Sequence, residues 1–385
     1  MLPRLLPVAL LAAACAAALA PAAAPAPTAT RALFVLDGRG WGHGVGLSQW
    51  GALGQARAGR TYRRILADYY RGTTLGRAPA GRLRVLLADG AQSVRISSEA
   101  PFRVVDAAGA VHALAAGEVA LGPALRLTVD GRARRLAGPL RFRPGRAAPL
   151  ALDGAGYRGE LRVDVVEGRL RVINVVGLQP YLLGVVASEM PFDWPLEALK
   201  AQAVAARSYA LARRERGQPF DLYADWRSQV YGGIAAETPQ TSRAVLETAG
   251  EVLLYRGRVA TALFHSTSGG RTAAAEDVYG SAFAAPYLVS VRDPWDASSP
   301  YHRWEAKALS PRHLGRAFGL AGPLVDVVAE RAPSGRVIAV RLQAADGSWR
   351  ELTGAEVRDR LGLRSTWFRL GVLRLAAASD RVSPR

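Results

Sequence analysis

Apolar and polar residues alternate in short runs between Gly81 and Arg143, at Leu83 to Leu87, Phe102 to Val105, Glu118 to Leu121 and Leu125 to Val129, each broken by Gly, Asp, Pro or Ala. Runs of that length and punctuation predict a small all-β module. Leu161 to Val166 and Arg169 to Val176 alternate around Glu167-Gly168, which predicts a hairpin. The period then changes. Leu182, Val185, Val186 and Glu189 recur at helical spacing and predict a short apolar helix. Pro195 and Glu197 suit the first turn of a second helix, and the alanine-rich run to about Arg214 has the propensity to extend it. A further hairpin is predicted at Glu251 to Tyr255 and Arg258 to His265, turning at Arg256-Gly257. Near the end, Arg336 to Gln343 and Ser348 to Leu352 flank Asp346-Gly347, ahead of a short helix from about Gly354 to Leu361. Strands and helices do not alternate as βαβ units, so the predicted class is α+β: a mixed helix/sheet core with a small all-β inserted module. The expected division is 1–30, leader and Ala/Pro linker; 31–80, glycine-rich segment and helix; 81–150, β module; 151–305, core; and 306–385, an α+β part completing the core.

The leader changes the setting. Leu2 to Ala20 is an apolar, alanine-rich run behind Arg4, followed by Pro and Ala to Thr30. This reads as a secretory signal, with a permanent membrane anchor as the alternative. The single cysteine, Cys15, lies inside that run, in a setting that loosely matches a lipoprotein cleavage box. If the leader is removed elsewhere, no cysteine remains for disulfides or thiolate-held zinc. The five histidines, His43, His112, His265, His302 and His313, show no metal-ligand spacing, so neither metal nor cofactor is expected. The 385 residues carry 50 Lys and Arg against 32 Asp and Glu, a net +18. The basic residues are dispersed, without aromatic interleaving, which argues against nucleic acid and for an anionic polymer outside the cytoplasm. A solvated basic surface is the plainer alternative.

Four segments offer chemistry. Glu189 shares a helix face with three aliphatic side chains and sits in the last turn, beside the negative end of the macrodipole. Desolvation and the dipole both raise a carboxyl pKa, which suits a general acid. The competing reading is a helix-end residue neutralised by Lys200 or Arg207. In the second segment, from Arg39 to Ala52, glycine occupies every other position from Gly38 to Gly46. It contains neither a dinucleotide fingerprint nor a phosphate loop. Trp41, His43, Gln49 and Trp50 there could stack on and hydrogen-bond a sugar, or serve the turn itself. The third is Ser266 to Thr272, after His265. No G-x-S-x-G elbow accompanies His265 and Ser268, so a serine hydrolase is weakly supported. Ser268 and Thr272 could satisfy loop backbone or contact substrate. Gln229 and Tyr231 of Ser228 to Gly233 carry the same two readings.

Together these segments resemble the SpoIID/LytB family of sporulation stage II protein D lytic transglycosylases and amidase enhancers. The resemblance rests on YLLGVVASEMPFDWPLEALKAQAVAARSYAL from Tyr181, SQVYGG at 228–233, AGEVLLY at 249–255, HSTSGGRT at 265–272 and GRGWGHGVGLSQWGA at 38–52. It is densest from Leu161 to Trp304. It implies that Glu189 is the catalytic acid, that Lys200 is its active-site partner, and that the substrate is peptidoglycan glycan stripped of stem peptides. Arg207, Gln229, Tyr231, Ser268, Gly269, Gly270, Thr272, His43 and Gln49 are the expected substrate contacts. An amidase is the expected protein partner, and a membrane is met only through the leader or a lipid on Cys15. Two departures stand out. Some family members are associated with a zinc site that uses cysteine, so the metal does not carry over. The glycine-rich segment precedes the core here, whereas sporulation members have it near the C-terminus. If it keeps its place in the fold, residues 365–370 should lie beside residues 33–37.

Overall fold

The computed structural model describes residues 31–129, 131–214 and 217–375. The expected leader, linker and Cys15 lie outside the described residues. No helix among those described is long and apolar enough to cross a membrane. Among the described residues the strands form several sheets, accompanied by eight α-helices, and confirm the α+β class.

Its largest sheet has seven strands, in the order 222–223, 82–91, 169–177, 160–166, 140–143, 102–105 and 111–114. The hairpin forms as its pattern predicts: Glu167 (φ 51°) and Gly168 (φ 71°) both take positive φ, the two-residue turn whose twist suits paired strands. A second sheet, ordered 155–157, 150–152, 94–98 and 117–121, packs on the far part of the first. Leu161, Val163, Leu170 and Val172 of the hairpin enter the same core as Val94, Ile96, Phe102 and Phe142. The β module and the hairpin thus share one sheet and one core, across the boundary expected near residue 150.

The helices are α1 (Gln49–Arg57), α2 (Tyr62–Tyr69), α3 (Leu178–Glu189), α4 (Leu196–Ala212), α5 (Pro239–Glu247), α6 (Ala275–Tyr279), α7 (Pro311–Phe318) and α8 (Gly354–Leu361). Helices α3, α4 and α5 pack against the near end of the seven-stranded sheet, α1, α2 and α6 join α4 in a neighbouring core, and α7 and α8 pack on the strands 31–38, 324–331, 337–344 and 368–375. Helix α3 has almost no polar face: Tyr181, Leu182, Val185 and Val186 are fully buried against the sheet residues Leu83 and Val85 and the α4 residues Ala203 and Ala206. Helix α4 is central, and its alanines let α1, α2, α3 and α5 approach closely.

One predicted strand is shorter than its pattern. Arg256 (φ 49°) and Gly257 (φ 76°) turn the chain, but the returning strand is only Arg258–Val259. Phe264–His265 instead runs parallel to Leu47–Ser48. The glycine-rich segment takes it over: Trp41 bridges Thr267, and Val45 bridges Ala273.

The expected meeting of the chain's two ends is observed. Strands Arg31–Gly38 and Phe368–Leu375 are antiparallel, with Leu36 opposite Leu370 and Leu33 opposite Leu373. The glycine-rich segment therefore enters the fold beside the C-terminal strand, whatever its place in the sequence. Gly44 has φ +85°, and a Cβ there would collide with the Arg336 guanidinium. Gly44→Ala is expected to destabilise the protein by roughly 2–4 kcal/mol, from backbone strain and overpacking. Thermal unfolding checks this.

Candidate functional site

Glu189 is the last residue of α3, and Met190 leaves the helix in an extended conformation (φ −131°, ψ 143°). The aliphatic face predicted for this helix anchors it, so the carboxylate emerges half-buried at the edge of the core. Both oxygens are held: Oε1 accepts the Val230 N–H at 2.9 Å, and Oε2 accepts the Gln49 side-chain N–H at 3.3 Å. Among the described residues no cation pairs with it. Burial raises the Glu189 pKa above the usual carboxylate range, and the Val230 and Gln49 donors pull in the opposite direction.

A pocket of about 470 Å³ opens over this carboxylate, with Trp41, His43, Gln49, Tyr209, Trp226, Arg227, His265 and Tyr279 among its walls. Glu189 is the only carboxylate among the described residues lining it. Trp226, at 84% exposure, stands almost free at the rim. Its loop is fixed by the paired Arg227 and Asp225, with the Arg227 guanidinium 3.9 Å from the centre of the Tyr223 ring.

Three expected site residues, Glu189, Gln49 and His43, converge on this pocket. His43 accepts the Val45 N–H on Nδ1 at 3.0 Å. Burial, chiefly, and the nearby Arg336 charge push it down to about 4, so it is a neutral imidazole at physiological pH. Gln229 and Tyr231 lie behind the pocket. Gln229 Oε1 accepts the Tyr181 hydroxyl at 3.2 Å, and the Tyr231 hydroxyl donates to Asn174 Oδ1 at 3.1 Å. Both are buried and fix the loop that presents the Val230 N–H to Glu189.

The remaining expected contacts sit elsewhere. Lys200 pairs with Glu247 at 2.6 Å and Glu197 at 3.2 Å. Because α4 turns this side chain toward α5, it does not line the Glu189 pocket. Arg207 is fully buried and donates to Gln179 Oε1 (3.1 Å) and to the carbonyls of Glu251 (3.0 Å) and Val245 (3.2 Å). The competing reading of Glu189 as a residue neutralised by Lys200 or Arg207 therefore fails, as both cations are engaged by other groups.

Ser268, Gly269, Gly270 and Thr272 form a buried loop. Asp296 Oδ2 accepts the Ser268 hydroxyl at 2.9 Å and the Gly269 N–H at 2.6 Å. Ser268 Oγ accepts the Gly270 N–H at 3.1 Å, and Thr272 Oγ1 accepts the Val291 N–H at 2.9 Å. Asp296 and Val291, from outside the loop, and the loop's own Gly270 N–H satisfy these polar atoms. His265 Nδ1 faces the Val45 carbonyl at 3.2 Å, so Ser268 and His265 form no nucleophile–base pair.

The sequence reading missed Trp226, Tyr209 and Tyr279 in the pocket and Asp296 beneath the loop. A tryptophan in the polar run Ala224 to Gln229 was the available signal for the first. Next to Asp296 lies the buried Asp293. Burial, chiefly, and the Asp296 charge push its carboxyl from 3.8 up to about 6. A carboxyl pKa raised in the folded state makes the protein lose stability as pH rises from about 4 to 6, on the order of 3 kcal/mol in all. Asp293→Asn is expected to flatten that slope, which melting curves across this pH range would detect.

Residues 166–255, with Glu189, α4 and the 228–233 loop inside them, match the family described as Stage II sporulation protein (SpoIID). The chain carries a SpoIID/LytB-family domain. Among its relatives, it is 33% identical over 216 residues to the Stage II sporulation protein D of Bacillus amyloliquefaciens (51% of this chain, 60% of the relative). It is 44% identical over 115 residues to the amidase enhancer of Bacillus subtilis (30% of this chain, 15% of the relative). It is also 38% identical over 143 residues to an uncharacterised protein of Brachyspira hyodysenteriae (36% and 38%). The chain thus spans 38% and 60% of the length of the Brachyspira and B. amyloliquefaciens relatives.

Proposed function

We propose that this protein acts on the bacterial cell wall, as an exported lytic transglycosylase that cleaves the MurNAc–GlcNAc bonds of peptide-stripped peptidoglycan. The observation that carries the reading is a lone, partly desolvated carboxylate, without a cation partner among the described residues, facing an aromatic-walled pocket. One such group suffices. As an acid Glu189 protonates the glycosidic oxygen; as a carboxylate it accepts the muramyl C6 hydroxyl proton while that oxygen closes onto C1. No hydrolytic water is needed, hence no second carboxylate to hold it. Trp41, Trp226 and Tyr279 supply faces on which sugar rings stack.

The second reading, a wall-binding protein that stimulates an amidase, is favoured by the 44% identity to an amidase enhancer. Mass analysis of amidase-treated peptidoglycan after incubation with the protein separates the two. Anhydromuramyl ends mean transglycosylase, reducing ends mean hydrolase, and unchanged strands with bound protein leave the enhancer.

A further inference from the structure

A second groove, of about 660 Å³, lies where α7, α8 and the strand Lys307–Leu309 meet. Its walls carry four exposed permanent cations, Arg303, Lys307, Arg360 and Arg364, against one carboxylate, Glu305. No ion pair is formed by any of these five among the described residues. Arg39 close by has its pKa lowered chiefly by burial and then by the charges of Arg303 and Arg369, with Asp37 and Asp296 pulling the other way. Tyr301 and Trp304 give the groove an aromatic floor.

This groove adjoins the Glu189 pocket. Trp41, in the wall of that pocket, packs edge-on against Tyr301 with ring centroids 4.4 Å apart. The Arg364 guanidinium lies over both rings, at 5.8 Å from the Trp41 centroid and 5.0 Å from that of Tyr301. A linear polymer leaving Glu189 past Trp41 would therefore run onto Arg364 and into the groove.

We propose that the groove is an extended subsite for the same glycan strand, gripping the lactyl carboxylates of muramyl residues remote from the cleaved bond. The inference rests on the glycan reading of the Glu189 pocket and adds what selects the strand. Alternate sugars of a stripped strand each bear a carboxylate, so a row of guanidinium and ammonium groups over aromatic rings matches its charge and its sugar faces. A neutral chitin chain has the same backbone without those carboxylates. Short oligosaccharides would fill only the pocket, and long stripped strands would fill both.

The test uses the full chain with Arg303→Glu and Lys307→Glu together, both exposed positions outside the Glu189 pocket, and Arg303→Gln with Lys307→Gln as a milder pair. Binding is measured to long amidase-stripped strands, a stripped tetrasaccharide and chitin oligosaccharides, with melting curves as the fold control. Affinity for long stripped strands is expected to fall roughly tenfold in the reversed pair and less in the neutral pair, with a shallower salt dependence. Tetrasaccharide and chitin binding are expected to stay as in the parent. Unchanged affinity for long strands overturns the proposal, as does an equal loss for chitin. If the parent binds stripped strands through the groove but releases no anhydro ends, the transglycosylase reading fails and the subsite stands.

Discussion

Glu189→Gln is expected to lower the yield of anhydromuramyl products by about 1,000-fold, within the usual range for removal of a general acid–base group, while strand binding persists. Glutamine keeps the shape. Its amide oxygen can still accept the Val230 N–H, and the Gln49 amide can rotate to offer its own oxygen to the new NH2 group. What it lacks is a transferable proton, so the loss should fall on kcat. An undiminished product yield would remove Glu189 from the mechanism. The wild-type profile carries a second mark. The acid role needs the protonated carboxyl, and burial raises its pKa, so turnover should decline as pH rises through that displaced value. Gln49→Leu deletes one of the two donors that favour the carboxylate and is expected to move this decline to higher pH; a shift to lower pH would contradict the assigned hydrogen bond.

The sequence made the backbone of the site legible where local rules decide it. Glu167-Gly168 can hardly be anything but a tight turn, and the spacing of Leu182, Val185, Val186 and Glu189 defines a buried helix face with one acid at its end. The pairing of the two termini also followed, because a displaced glycine-rich segment has to be delivered to the same place. Side-chain destinations were less legible. Helical spacing puts Lys200 and Arg207 on one stripe, but it does not say whether that stripe meets solvent, substrate or another helix; α5 and the strand Glu251–Tyr255 cover it. Ser268 and Thr272 were ambiguous for a similar reason. Their partners, Asp296 and Val291, arrive from a segment that no local pattern ties to them. The Glu189 pocket itself is assembled from six separate stretches between Trp41 and Tyr279, so only the resemblance brought Gln49 and Glu189 into one frame.

Arg207→Ala is expected to cost about 3–5 kcal/mol of stability, because it empties a buried site and takes a donor from each of three acceptors. For a protein of this size that is a fall in melting temperature of roughly 4–6 °C. Burial pushes the Arg207 pKa down to about 10, so the residue is still a cation at neutral pH, and its charge is spread over two carbonyls and the Gln179 side chain. Arg207→Met would refill much of the space but supply no donors, and should recover only the packing part of the loss. Arg207→Lys keeps the charge without the planar fork that reaches α3, α5 and the strand at Glu251 at once, and should fall between parent and Ala. Because Gln179 lies on the helix that ends in Glu189, a loosened Arg207 contact reaches the site through α3. Activity lost in these variants should therefore track melting temperature and be regained on cooling. A variant that melts like the parent yet no longer binds stripped strands would return Arg207 to the substrate groove.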